Sequence, residues 1–194
     1  MKNIWFISDT HWGHANTFLK FKRADGSPLR PFTSVEEMNE TMIQRWNAVV
    51  GPYDRVYHCG DVVIRQEYLN KVLPRLNGKK VLIMGNHDIF GHKAYLEHFE
   101  DIRGYKVMPE HGIIASHIPI YADAFEGRWQ TNIHGHLHAN RVPHPKFKGQ
   151  YDERYVNVSV EQIDYTPKHL DAILAERWFS PPDKYSYALR SPHQ

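Results

Sequence analysis

The stretch that decides the fold is "NIWFISDTHWGH", residues 3–14. Residues 3–8 read as a buried strand, apolar and rich in β-formers. The run then breaks into Asp9, His11 and His14. A carboxylate and imidazoles at the mouth of a buried strand cost free energy unless something compensates them.

The same device recurs along the chain. "RVYHC" (55–59) runs into Gly60-Asp61, and "KKVLIM" (79–84) into Gly85-Asn86-His87-Asp88. "GIIAS" (112–116) runs into His117, and "TNIHG" (131–135) overlaps "HGHLH" (134–138). A sixth strand is expected at "RYVNVSVE", 154–161. Helical patterns cover 14–23, 34–49, 65–76, 91–99 and 167–178. Ser34 reads as an N-cap, with Glu37 completing a capping box. Asn77-Gly78 reads as a helix stop. Pro167 reads as the first turn of the last helix, after a Thr166 cap. Loops are expected at 23–32 and 140–153. Strands alternating with helices give βαβ units in the first half. Closer strands give an antiparallel or mixed sheet in the second.

The 194 residues predict a single domain over 1–180, with 181–194 a surface-lying or frayed tail containing three prolines. A net charge of +2 is too mild to mark a nucleic-acid face. One cysteine, Cys59, excludes an intramolecular disulfide and fits a reducing, cytoplasmic setting. No apolar run approaches the roughly 20 residues of a membrane helix, and the N-terminus lacks a signal-peptide pattern. The compositional outlier is histidine, at 14 residues.

In an open α/β sheet the carboxyl ends of neighbouring strands meet at one crevice. That brings together Asp9, His11, Asp61, Asn86, His117, His136 and His138. Two carboxylates, one amide oxygen and four imidazoles form a divalent-metal set. Seven donors exceed the needs of one ion. Two ions about 3.5–4 Å apart and sharing a carboxylate would use them all, an arrangement suited to in-line displacement at phosphorus.

The ordered blocks D-x-H, G-D, G-N-H-D, H and G-H-x-H resemble the calcineurin-like metallophosphoesterase superfamily. The contexts "SDTHWGH", "EEMNE" with "RWN", and "VNVSVE" resemble its compact single-domain bacterial and phage branch. The resemblance implies an α/β fold, a four-layer α/β/β/α sandwich with two mixed sheets. It implies two divalent transition-metal ions, manganese first, with iron, zinc or nickel as replacements. Asp9, His11 and His138 would bind one ion and Asn86, His117 and His136 the other, with Asp61 bridging. His87 would be the general acid for the leaving oxygen, after attack by a hydroxide between the ions.

The implied activity is phosphoester hydrolysis. A nucleotide or cyclic-nucleotide diester is favoured over the monoester of a nucleotide or phosphoprotein phosphatase, because an uncapped site is open and His87 suits poor leaving groups. A non-catalytic scaffold of the same fold would have lost ligands or the acid, and here all are present. The expected partner is a small phosphoester or nucleotide, with no strong signal for duplex nucleic acid and no membrane; the oligomeric state is open.

Around this set, Asp88 is a candidate to orient His87. His14, Arg30 and Arg128 are candidate substrate contacts, the arginines as bidentate phosphate ligands. His134 is expected to support His136, and Trp12 and Trp129 to line the pocket. Trp5, Trp46 and Trp178 are expected in the core, as is one of His58 and Cys59. Gly60, Gly85 and Gly135 are expected to permit sharp turns.

Overall fold

A computed structural model describes residues 3–125 and 128–179. The tail 181–194 lies outside the described residues, as does the side chain of Trp178. Two mixed sheets and flanking helices make the α/β fold.

The first sheet has five strands. β1 (Ile4–Ile7), β2 (Arg55–His58), β3 (Lys79–Ile83) and β4 (Asp101–Arg103) run parallel, in the order β4-β3-β2-β1. The second has four. β5 (Tyr105–Met108) pairs antiparallel with β6 (Ile113–Ser116), which runs parallel to β7 (Thr131–His134) and β8 (Tyr155–Asn157).

Alternation along the strands sorts their side chains. Phe6, Cys59 and Ile83 turn toward Ile113, Ala115 and Ile133 of the second sheet, forming the core between the sheets. Ile7, Val56 and Leu82 turn the other way, onto helix α2 (Val35–Val49) through Met38, Met42 and Trp46. Leu69 and Val72 of α3 (Glu67–Val72) join them there. Both members of the His58–Cys59 pair are buried, on opposite faces.

Helix α2 starts where the Ser34 cap predicts, with Ser34 Oγ accepting from the Glu37 N–H at 3.0 Å. Glu37 does not close the box on Ser34. Its carboxylate accepts from the Thr33 N–H and hydroxyl instead. Three other helices are shorter than their patterns: α1 (Asn16–Leu19), α3, which passes into a 3-10 turn at Leu73–Arg75, and α4 (His92–Leu96). After α1 the chain turns into a small hairpin, in which Lys22 bridges Pro28 around a positive-φ Gly26.

Three differences bear on the site. The last helix, α5 (Leu170–Phe179), does not begin at Pro167. Lys168–His169 form β9, antiparallel to β1, so sheet pairing overrides the helical pattern there. Pro167 enters that strand, a position where its missing N–H costs little. The short edge strands β4 and β5 were not expected. The segment 154–161 is also not one strand. After β8 it changes sheets: Val158 donates to the His134 carbonyl at 2.8 Å, while its own carbonyl accepts from the Ser8 N–H at 2.8 Å. Val160 N–H then donates to the Ser8 carbonyl at 3.1 Å. Residues 158–160 therefore stitch the ends of β7 and β1 together.

Candidate metal centre

The ends of β1, β2, β3, β6 and β7 meet beside that stitch. Loop hydrogen bonds hold them, with Asp9 N–H donating to the Gly60 carbonyl at 2.9 Å and His11 N–H to the Asp61 carbonyl at 3.1 Å. The backbone is forced there. Asp9, His11, Asp61, His136 and His138 are five of the seven non-glycine residues with positive φ among the described residues. That conformation is unfavourable for L side chains and collects at functional sites. Gly60 has a φ of +93° and needs to be glycine for that reason. Gly85 and Gly135 do not serve the turn role expected of them. They allow close approach: a methyl on Gly85 would lie 2.2 Å from Asp61 Oδ1, and one on Gly135 2.3 Å from Asp9 Oδ2.

The side chains fall into two groups. In the first, Asp9, His11 and His138 offer atoms within one ion's reach of one another, His138 Nε2 being 3.8 Å from Asp9 Oδ1. In the second, Asn86 Oδ1 is 3.0 Å from His117 Nε2 and 3.0 Å from His136 Nδ1, and those nitrogens are 3.3 Å apart. Neighbouring ligands on an ion with bonds of about 2.1 Å stand about 3 Å apart, so this spacing suits one cation. Asp61 Oδ2 lies between the groups, 3.5 Å from His11 Nε2 and 3.6 Å from His117 Nε2. Asp9 also lies within reach of Asp61 and His117.

The donors are prepared for a cation. Asp9 Oδ2 accepts from His136 N–H and Ser159 Oγ, each at 2.9 Å, leaving Oδ1 buried and unpartnered. Burial pushes the Asp9 carboxyl above its ordinary value, against the pull of His138 and His117. Burial, then the Arg30 charge, holds His11 well below the ordinary imidazole value, so it stays neutral with a lone pair to give. His117 Nδ1 lies 2.8 Å from the Cys59 carbonyl. A carbonyl can only accept, so Nδ1 carries the hydrogen and Nε2 is the nitrogen that faces the cluster. An orphaned buried carboxylate oxygen beside the neutral His11 imidazole, with a second imidazole nitrogen 3.8 Å away on His138, fits a divalent cation.

His87 belongs to neither group. It is exposed, its ring stands edge-on to His11 with centroids 5.4 Å apart, and its backbone N–H donates to Asp61 Oδ1 at 2.8 Å. Asp88 does not orient it. The Asp88 carboxylate is buried and accepts three backbone N–H groups, from Asp61 and Gly85 at 2.8 Å and Val62 at 2.9 Å. It holds the loop that carries Asp61.

Arg30 is not a substrate contact either. It is fully buried, with Nε 2.7 Å from Glu161 Oε1 and its remaining arms on the Asp9 and Thr10 carbonyls. His14 is half-buried at the rim, between the rings of His11 and Phe21. Arg128 is exposed. His134 does not steady His136: it is buried, with Nδ1 2.7 Å from the Gly135 carbonyl and its ring edge-on to Tyr155. Burial keeps it neutral, its value lowered to about 4. Trp12 is wholly buried in the core and lines no pocket.

Glu161 was missed. Its Oε1 also lies 3.1 Å from His138 Nδ1. Burial opposes its charge, but Arg30 and His138 outweigh burial and hold the carboxyl down at about 2. The available signal was position: like the acids after other strands, it ends a strand-like run, "VNVSVE".

Fold and donors together define an α/β sandwich protein with a candidate two-ion centre at its strand ends. The chain belongs to the calcineurin-like phosphoesterase family, whose sequence pattern matches residues 2–191. It is 41% identical over 177 residues to the uncharacterized protein MJ1445 of Methanocaldococcus jannaschii, covering 90% of each chain. It is 32% identical over 130 residues to the Gene 66 protein of Mycobacterium phage L5, covering 64% of this chain and 58% of that one. The crystal structure of AQ665, a protein of unknown function from Aquifex aeolicus, matches with a TM-score of 0.66 and 29% identity, over 89% of this chain and 98% of the other. Among the described residues no helix is long and apolar enough to cross a membrane.

Proposed function

We propose that this protein is a dinuclear metal-dependent phosphodiesterase acting on small diesters of the nucleotide or cyclic-nucleotide type. The observation that carries the reading is the convergence of two donor groups on Asp61 Oδ2, with His87 exposed beside them. Asp9, His11 and His138 would hold one ion, Asn86, His117 and His136 the other, and Asp61 both. When bound, the ions supply positive charge for the phosphoryl oxygens and lower the pKa of a bound water. Manganese suits the mixture of carboxylate, amide and imidazole, a set that iron, zinc and nickel also use.

The chain's own residues supply the rest. His87 is held through its backbone on Asp61 and faces solvent, the placement needed to give a proton to a leaving oxygen. Its exposed neighbours Asn86 and His136 leave the site open to a phosphorus bearing two ester arms. Withdrawal of Arg30 into the fold removes one of the cations that a doubly charged monoester would seek. A diester carries one negative charge and is served by fewer. With a net charge of +2 and a single buried cysteine, a cytoplasmic role on small nucleotides suits the chain better than work on duplex nucleic acid.

The test is elemental analysis of the purified protein, followed by turnover of matched diesters and monoesters with Mn²⁺ and with a chelator. Two ions per chain, faster diester cleavage and loss of activity in chelator are expected. Faster monoester cleavage would reverse the substrate preference. Full turnover in excess chelator by a metal-free protein would end the metal reading.

A further inference from the structure

The Arg30–Glu161 pair plays no part in the chemistry above, yet both side chains are wholly buried. Arginine and glutamate are almost never fully buried unless paired, and such pairs are costly to desolvate. Its contacts suggest what keeps it there. Glu161 Oε1 accepts from Arg30 Nε at 2.7 Å and lies 3.1 Å from His138 Nδ1. A carboxylate against a guanidinium is ionised and only accepts, so His138 carries its hydrogen on Nδ1. That leaves Nε2 as the nitrogen able to give a lone pair to a metal ion, and it is the atom that faces Asp9 Oδ1. The other arms of the guanidinium donate to the Asp9 carbonyl at 2.6 Å and the Thr10 carbonyl at 2.8 Å. One ion pair thus grips both ends of the first donor group, the 9–11 loop and His138. Among the described residues the second group has no such pair behind it: His117 leans on a backbone carbonyl.

We propose that Glu161 is a positioning residue that fixes the tautomer and orientation of His138, and that through Arg30 it ties the His138 side of the first ion site to the Asp9–His11 loop. This rests on the metal reading above. A carboxylate behind a metal-bound imidazole is a general device, and its loss typically weakens metal binding about 10- to 100-fold.

The experiment titrates the metal-free full-length protein with Mn²⁺ and resolves two binding events. The first-group event is identified as the one lost in His138→Ala. Glu161→Gln is expected to weaken that event about 10- to 100-fold and leave the other unchanged, with Glu161→Asp recovering part of the loss. If Glu161→Gln weakens both events equally, or neither, the positioning role is wrong. A second measurement needs no variant. Nitrogen NMR of wild type loaded with Zn²⁺ should show His138 protonated at Nδ1 and metal-bound at Nε2. Metal on Nδ1 would overturn the proposal. Wild type that binds no ion sinks the metal reading and this inference with it. Two ions held tightly by Glu161→Gln sink only the inference.

Discussion

Asp9, His11 and His138 sit at or below the protein surface behind a buried ion pair, whereas Asn86 and His136 stand in solvent beside a buried His117. The first half is pinned by groups that are expensive to bury and can adopt one arrangement. The second is held mainly by backbone, through Cys59 and the 85–88 turn, and borders the open side where His87 stands. A centre divided this way can keep one cation firmly while leaving the other near substrate. Asp61 Oδ2 lies within 3.6 Å of an imidazole nitrogen of each half.

Cutting that link is the strongest way to break the comparison. Asp61→Asn removes negative charge from both halves, so both ions and all turnover should be lost together. Ion counts alongside rates decide it; a variant that kept two ions and its rate would show that the halves do not depend on Asp61. His87→Ala sharpens the comparison from the open side. It should leave both ions in place and lower the rate by about 10²–10⁴ on esters with poor leaving groups. On a nitrophenyl diester, whose leaving group departs as an anion, the loss should shrink. Equal losses on both esters, or a missing ion, would make His87 a structural residue.

The smallest effect belongs to the buried half alone. The Glu161 carboxyl lies at about 2, below its ordinary 4.5. Its stabilising contribution is therefore complete above pH 4.5 and is lost as pH falls from 4.5 toward 2. Asp9 is shifted the opposite way and recovers stability in acid, which blunts the slope. Denaturant midpoints of metal-free wild type should fall over that range more steeply than those of Glu161→Gln. Parallel curves would mean that the pair adds nothing in acid.

The donor set was legible because each donor follows an apolar run of strand length, and strand ends converge by topology. Residues whose part depends on where a side chain turns were not. Asp88 adjoins His87 in sequence, but the tight 85–88 turn aims its carboxylate at three amide hydrogens. Arg30 looks like a loop cation beside Gly and Pro; only the meeting of the 28–30 segment with the 158–161 segment buries it. Glu161 reads as one more residue of a strand, because nothing local reveals that the chain changes sheets at Val158. Strands β4, β5 and β9 were hidden for a different reason. They are short sheet-edge segments with charged or polar residues, which suits an edge and resembles a loop.

The stitch at 158–160 has a consequence for how this chain can change length. Ser159 reaches Asp9 where the chain bridges Ser8 of β1, and Glu161 reaches His138 from the turn that the Gln162 N–H closes on the Ser159 carbonyl at 2.8 Å. Inserting or deleting a single residue between Tyr155 and Ser159 would shift the crossover from β8 to β1 by one position and carry Ser159, with the turn that follows it, off these partners. The neighbouring 140–150 loop, exposed over most of its length, has no such register to keep. Length variation among relatives should therefore gather in that loop and stop short of the stitch.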